Sequence, residues 1–260
     1  MSWPKVTPSG PFRAEQIRSG DPYELSDGHA IRCMTTGSRG SRANLLGGSV
    51  LDSDPAVEEA GIDTGYAPSE GTLRAPDVAV GNVPDEPGWV AGAPPLAVEY
   101  ADSGQDEKDL QVKISELQAA GTRLVWVVRL TGPRRVEVHE TGREKITVMA
   151  GEELLAPGIL QNPVPVEALY DREAAHRATF RNLLQRQGYR DLEAVRDEGR
   201  EEGCAALRRA LVDFLLSRGF RIEEADRRRL AECRDLEVLR SWLVRSVMAS
   251  SAAEVFATSK

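Results

Sequence analysis

The chain has 260 residues, 41% of them hydrophobic and 28% charged, with a formal net charge of −8. That balance argues against a nucleic-acid coat protein or a polybasic membrane binder, although a single cleft can carry a field of its own. The spacing of Cys33, Cys204 and Cys233 suggests neither a disulfide framework nor a zinc ribbon, and no run reaches the ~20 apolar residues of a membrane span, so a cytoplasmic protein is expected.

The opening MSWPKVTPSG lacks the apolar core of a signal peptide, and residues 1–12 read as a flexible arm. PFRAEQIRSGD reads as a short helix ending near Gly20. PYELSDGHAIRCM then reads as a hairpin, because Asp27-Gly28 is a dipeptide favoured where the backbone needs positive φ. SRGSRANLLGG, residues 38–48, suggests a short helix interrupted by glycine, and a weak strand is expected around Gly61–Ala67.

LRAPDVAVG (73–81) reads as one strand opened by Pro76, and LAVEYA (96–101) as another beyond a Pro/Gly loop. DLQVKISELQAAG (109–121) reads as a helix: Leu110, Ile114 and Leu117 share a face, and Gly121 supplies the stop. TRLVWVVRL is a buried strand, and RRVEVHETG with EKITVMAG forms a further hairpin. Strand, helix and strand in succession imply a crossover, hence a mixed sheet. At about residue 168 the character changes; beyond it there is no proline and no strand-like alternation. Helices are expected over 171–187, 190–218, 223–232 and 235–248. The chain therefore reads as an α/β domain over 13–170 and an α-helical extension over 171–260, apolar enough along one side to pack against something.

Three residues on three different elements could make a site: Asp77, Glu99 and Lys113. In LAVEYA, alternation puts Leu96, Val98 and Tyr100 on one face and Glu99 on the other, between Ala97 and Ala101. Two carboxylates on neighbouring strands can share a hard divalent cation such as Mg²⁺, and a lysine beside them can orient or deprotonate an attacking water. The ordinary alternatives are a turn residue for Asp77, an edge-strand charge for Glu99, and for Lys113 a solvated pair with Asp109. His29, His139 and His176 are isolated, and neither GSRGSR nor GPRR has phosphate-loop spacing.

The order RAPDVAV, PLAVEYADSGQDEKDLQVK, ISELQAAG, TRLVWVV, approached through TGYAPSEGTLRAPD, resembles the Uma2 family of the PD-(D/E)XK nuclease superfamily. The matching features are Asp77, Glu99, Asp109 with Lys113 four residues on, Ala120-Gly121, and Trp126-Val127-Val128. The position two after Glu99, where the superfamily usually has lysine, is Ala101, and Leu117 stands where the family usually has an aromatic residue. The resemblance implies a restriction-endonuclease-like mixed β-sheet core flanked by helices. It also implies metal-dependent hydrolysis of DNA phosphodiester bonds, with Mg²⁺ or Mn²⁺ on Asp77 and Glu99 and Lys113 assisting the water. Glu24, in YELSDG, is a possible third metal ligand by the superfamily's habit of recruiting an N-terminal acidic residue. From EGREEG to its end, the chain resembles the helical tails of transposase-linked nucleases. The alternative is a non-catalytic or weakly active binding or assembly module of the same fold whose tail mediates self-association or docks a partner.

Overall fold

The computed structural model describes residues 10–33, 35–104 and 106–257. Residues 1–9 of the expected arm lie outside them. Where a short first helix is expected there is only a 3-10 turn, Ala14–Gln16. Strands β1 (Tyr23–Ser26) and β2 (His29–Arg32) form the expected hairpin, with φ of 48° at Asp27 and 74° at Gly28, as a two-residue type I′ turn needs. Helix α1 (Ser38–Asp52) follows and extends beyond the short helix expected there.

The next stretch departs from expectation. In place of one weak strand there are two, β3 (Ala60–Ile62) and β4 (Tyr66–Ser69), and they belong to different sheets. The single strand expected over 73–81 is likewise split into β5 (Thr72–Arg74) and β6 (Val78–Val80), again in different sheets. Between them lies Pro76, which has no N–H to give a ladder, so the chain changes sheet there. Strand β7 (Leu96–Ala101), helix α2 (Glu107–Ala119) and strand β8 (Leu124–Arg129) make the anticipated crossover, with β7 and β8 parallel. Strands β9 (Arg135–Glu140) and β10 (Ile146–Met149) form the second expected hairpin. A small pair, β11 (Glu153–Leu154) with β12 (Val164–Pro165), precedes helix α3 (Arg172–Arg186).

The main sheet is mixed and runs β10-β9-β8-β7-β6-β3; a four-stranded sheet runs β2-β1-β5-β4. Strand β7, paired on both sides, is buried along its whole length. On one face Val78, Leu96, Val98, Tyr100, Trp126 and Val128 share a core with residues of α1 and α3. On the other, Ala97, Ala101, Val125 and Val127 pack under Leu110, Ile114 and Leu117 of α2. Glu99, placed by alternation, lies on this second face.

Packing divides the chain at Gly188–Tyr189, not at the compositional change near residue 170. Composition reports the switch to helix, but α3 stays with the sheet because it caps α1. The Asn182 amide donates to Val50 O (3.1 Å) and Ser53 Oγ (3.2 Å), and the Arg186 guanidinium donates to the carbonyls of Asp52, Ser53 and Asp54 at 2.8–3.0 Å. The second unit is helical: α4 (Leu192–Ser217), α5 (Glu224–Glu232), α6 (Leu236–Met248) and α7 (Ala252–Phe256), the last not anticipated. It has its own core, in which Leu211, Leu215 and Leu239 are buried and Trp242 meets Phe256 edge-on at 5.2 Å. Among the described residues no helix is long and apolar enough to cross a membrane.

Candidate active site

Glu24, Asp77, Glu99 and Lys113 line one cleft of about 520 Å³, although they come from β1, the turn before β6, β7 and α2. Sheet register explains the carboxylate pair. The ladder between β6 and β7 ends at Val78 opposite Val98, and one step further in the same register sets Asp77 opposite Glu99. Directly opposed residues have Cβ atoms ~5 Å apart, so their carboxylates are neighbours. The backbone N–H of Tyr100 donates to Asp77 Oδ2 at 2.6 Å, tying that side chain to the end of β7 and leaving Oδ1 for another partner.

Lys113 arrives from above. Its helix is started by Asp106, whose side chain accepts from the N–H groups of Lys108 and Asp109. The face that buries Leu110, Ile114 and Leu117 sets Lys113 over the second face of the sheet. Its ammonium lies 2.7 Å from the carbonyl of Ala75, 2.8 Å from Glu99 Oε1 and 3.0 Å from Glu24 Oε1. An ammonium has three protons, and here there are three acceptors. Glu99 Oε1 receives no well-aligned hydrogen bond despite this ion pair; the aligned bond from Lys113 goes to Oε2 at 3.1 Å. Both oxygens of Glu24 face cations: Oε1 meets Lys113 and Oε2 meets Arg74 Nη1 at 2.9 Å. A metal ion at Glu24 would have to compete with both.

The electrostatics follow from crowding carboxylates where water is scarce. Burial, reinforced by Asp77 and Glu24 and opposed by Lys113, pushes Glu99 up to about 8. Burial also raises Asp77, against the pull of Lys113 and the Tyr100 N–H. Glu24 goes the other way: burial would raise it, but Lys113 and Arg74 together hold it below the usual carboxylate value. Lys113 is kept protonated, since Glu99, Glu24 and Asp77 more than offset the effect of its burial.

Three side chains not anticipated as site residues join the four that were. Asp63, one step beyond Ile62 in the β3–β6 register, sits beside Asp77 on the cleft wall; burial raises it. Arg74 is buried between Glu24 and Glu116, and Glu116 in turn accepts from Ser26 Oγ at 2.6 Å. Glu116 was open to inspection, since it follows Lys113 by three on one helix face. Asp63 and Arg74 gave no such signal, because their neighbours are set by strand pairing between segments far apart in sequence. Among the described residues, no group of three or more His, Cys, Asp or Glu is arranged to hold a metal ion, and none of the three histidines lines the cleft.

Comparison with known proteins agrees with this architecture. A family model, Uma2, described as "Putative restriction endonuclease", matches residues 12–165. Among solved structures, a protein from Anabaena variabilis titled a putative nuclease of the DUF820 group superimposes with a TM-score of 0.53 and 16% identity. The match covers 64% of this chain and 99% of that one, and at this identity it speaks for the fold. No curated protein matches the chain.

Proposed function

This chain belongs to the Uma2 family of restriction-endonuclease-like proteins, and from that premise we propose that its cleft hydrolyses DNA phosphodiester bonds with a divalent cation held by Asp77 and Glu99. The supporting observation is the pair itself: half-buried Asp77, one register step beyond the β6–β7 ladder, and buried Glu99 line one cleft, and burial pushes both carboxyls up despite Lys113. Oxygen donors without sulfur or imidazole suit Mg²⁺, with Mn²⁺ as a substitute, and Mg²⁺ often takes only one or two protein carboxylates, the rest being water and substrate phosphate. When bound, such an ion supplies Lewis acidity toward a phosphate oxygen and lowers the pKa of a coordinated water.

The chain's own residues do the rest. Asp77 is held by the Tyr100 N–H with one oxygen still available, and Glu99 Oε1, though ion-paired to Lys113, receives no aligned hydrogen bond. Lys113, protonated and with its three protons engaged, is no base toward water. Its part is to fix Glu99 and to place positive charge where a phosphoryl transition state gathers negative charge. On this reading Lys113 neither deprotonates nor directly orients the water, the roles expected from the sequence, but stabilises charge.

The test is cleavage of supercoiled plasmid and single-stranded DNA with Mg²⁺, with Mn²⁺ and with chelator. Metal-dependent nicking is expected, reduced about 10³-fold or more in Asp77→Ala and in Glu99→Ala, as loss of several kcal/mol of charge stabilisation implies. Activity surviving the double variant would remove this site from the reaction.

A further inference from the structure

Resting on that reading, we infer that Arg74 and Glu24 are positioning residues, which hold the Lys113 ammonium in place beside the Asp77–Glu99 pair where a cation would bind. A lysine ammonium rides on four flexible carbons, so its acceptors decide where it stands. Two of them, Glu24 and the carbonyl of Ala75, come from the small-sheet side of the cleft, and only Glu99 comes from the main sheet. Arg74 fixes that side. Its side chain is 3% exposed; Nη1 donates to Glu24 Oε2 at 2.9 Å and Nε to Glu116 Oε2 at 2.5 Å. Nη2 is buried without a hydrogen-bond partner, so the guanidinium is held by those two carboxylates alone. Glu116 is on the helix that carries Lys113, one turn on. A closed ring results: Lys113 to Glu24, Glu24 to Arg74, Arg74 to Glu116, and back through α2.

The charges in this ring cancel, two cations against two carboxylates. Asp77 and Glu99 therefore remain as the carboxylates a divalent ion would engage, with Asp63 beside them on the wall. Without Glu24, Lys113 would keep only the Ala75 carbonyl and Glu99 as acceptors, and its competition with a metal for the Glu99 oxygens would grow. The planar guanidinium is needed because one ammonium cannot reach two carboxylates in a fixed fork.

Three variants test this: Glu24→Gln, Arg74→Lys, and the charge-balanced double Arg74→Met/Glu116→Gln, which leaves Glu24 its ion pair with Lys113. Each is assayed for kcat and KM on plasmid DNA, for the Mg²⁺ concentration giving half-maximal rate, and by NMR for the slowly exchanging ammonium signal of Lys113. All three are expected to lower kcat about 10- to 100-fold, as a misplaced catalytic group does, with KM for DNA nearly unchanged. They should also need more Mg²⁺ and lose the sharp ammonium signal while remaining folded by circular dichroism. Folded variants that keep the wild-type kcat and ammonium signal overturn the inference alone. A wild-type chain that cuts no DNA with either metal overturns the nuclease reading first, and the catalytic meaning of the ring with it.

Discussion

Glu99 occupies a strand position flanked by Ala97 and Ala101 under a helix, where a carboxylate has little water to solvate it. Its folded-state pKa, about 8, lies above the ordinary 4.5. Across that window the folded protein retains a proton that the unfolded chain has released, so this group lowers stability as pH rises from 4.5 to 8. Glu24, held low, has the opposite sign and matters only in acid. Metal-free Glu99→Gln should therefore match wild type near pH 4.5 and melt several degrees higher at pH 8, at about 2–4 °C per kcal/mol for a domain of this size. A melting difference independent of pH would contradict this. Glu99 was legible in the sequence because strand alternation isolates it, and Asp77 and Lys113 because their order around it matches a family pattern. Arg74 was not, since an arginine two residues before a proline looks like any surface charge until its two partners are in place.

Helix α1 shows what a whole element contributes. Its glycines look like interruptions in the sequence, yet they let the helix lie close on the sheet. A methyl group at Gly47 would overlap the Tyr100 hydroxyl, which donates to the carbonyl of Leu169 at 3.1 Å. Tyr100 is also the residue whose N–H holds Asp77, so pressure on its side chain reaches the site. Gly47→Ala should cost about 1–3 kcal/mol through overpacking and reduce cleavage, despite alanine's better helix propensity. Gly199 on α4 has nothing near its missing Cβ, so Gly199→Ala should instead stabilise by ~0.5–1 kcal/mol. Calorimetry of the two variants checks the contrast, and equal effects would sink the packing argument. The element pattern was readable where periodicity ran long, as in α2 and β8. It failed over 60–80, where strands of three or four residues pass from one sheet to the other and back and leave too few residues to establish a period.

For the whole molecule, the division at Gly188–Tyr189 makes each unit a candidate for independent folding. A chain ending at Gly188 should melt cooperatively, whereas one ending at Leu169 lacks Asn182 and Arg186 at the end of α1 and should be markedly less stable. Equal melting temperatures would show that α3 does not belong to the sheet domain. Light scattering on the chain ending at Gly188 and on the full chain asks whether the helical unit mediates self-association, in which case its removal lowers the particle from an oligomer to a monomer. The central claim, that opposed carboxylates at one end of a mixed sheet hold a catalytic cation, is tested most directly by anomalous diffraction from Mn²⁺-soaked crystals. A peak is expected within about 2.5 Å of an oxygen of both Asp77 and Glu99. A peak elsewhere, or none in this cleft at a concentration that supports cleavage, would contradict it.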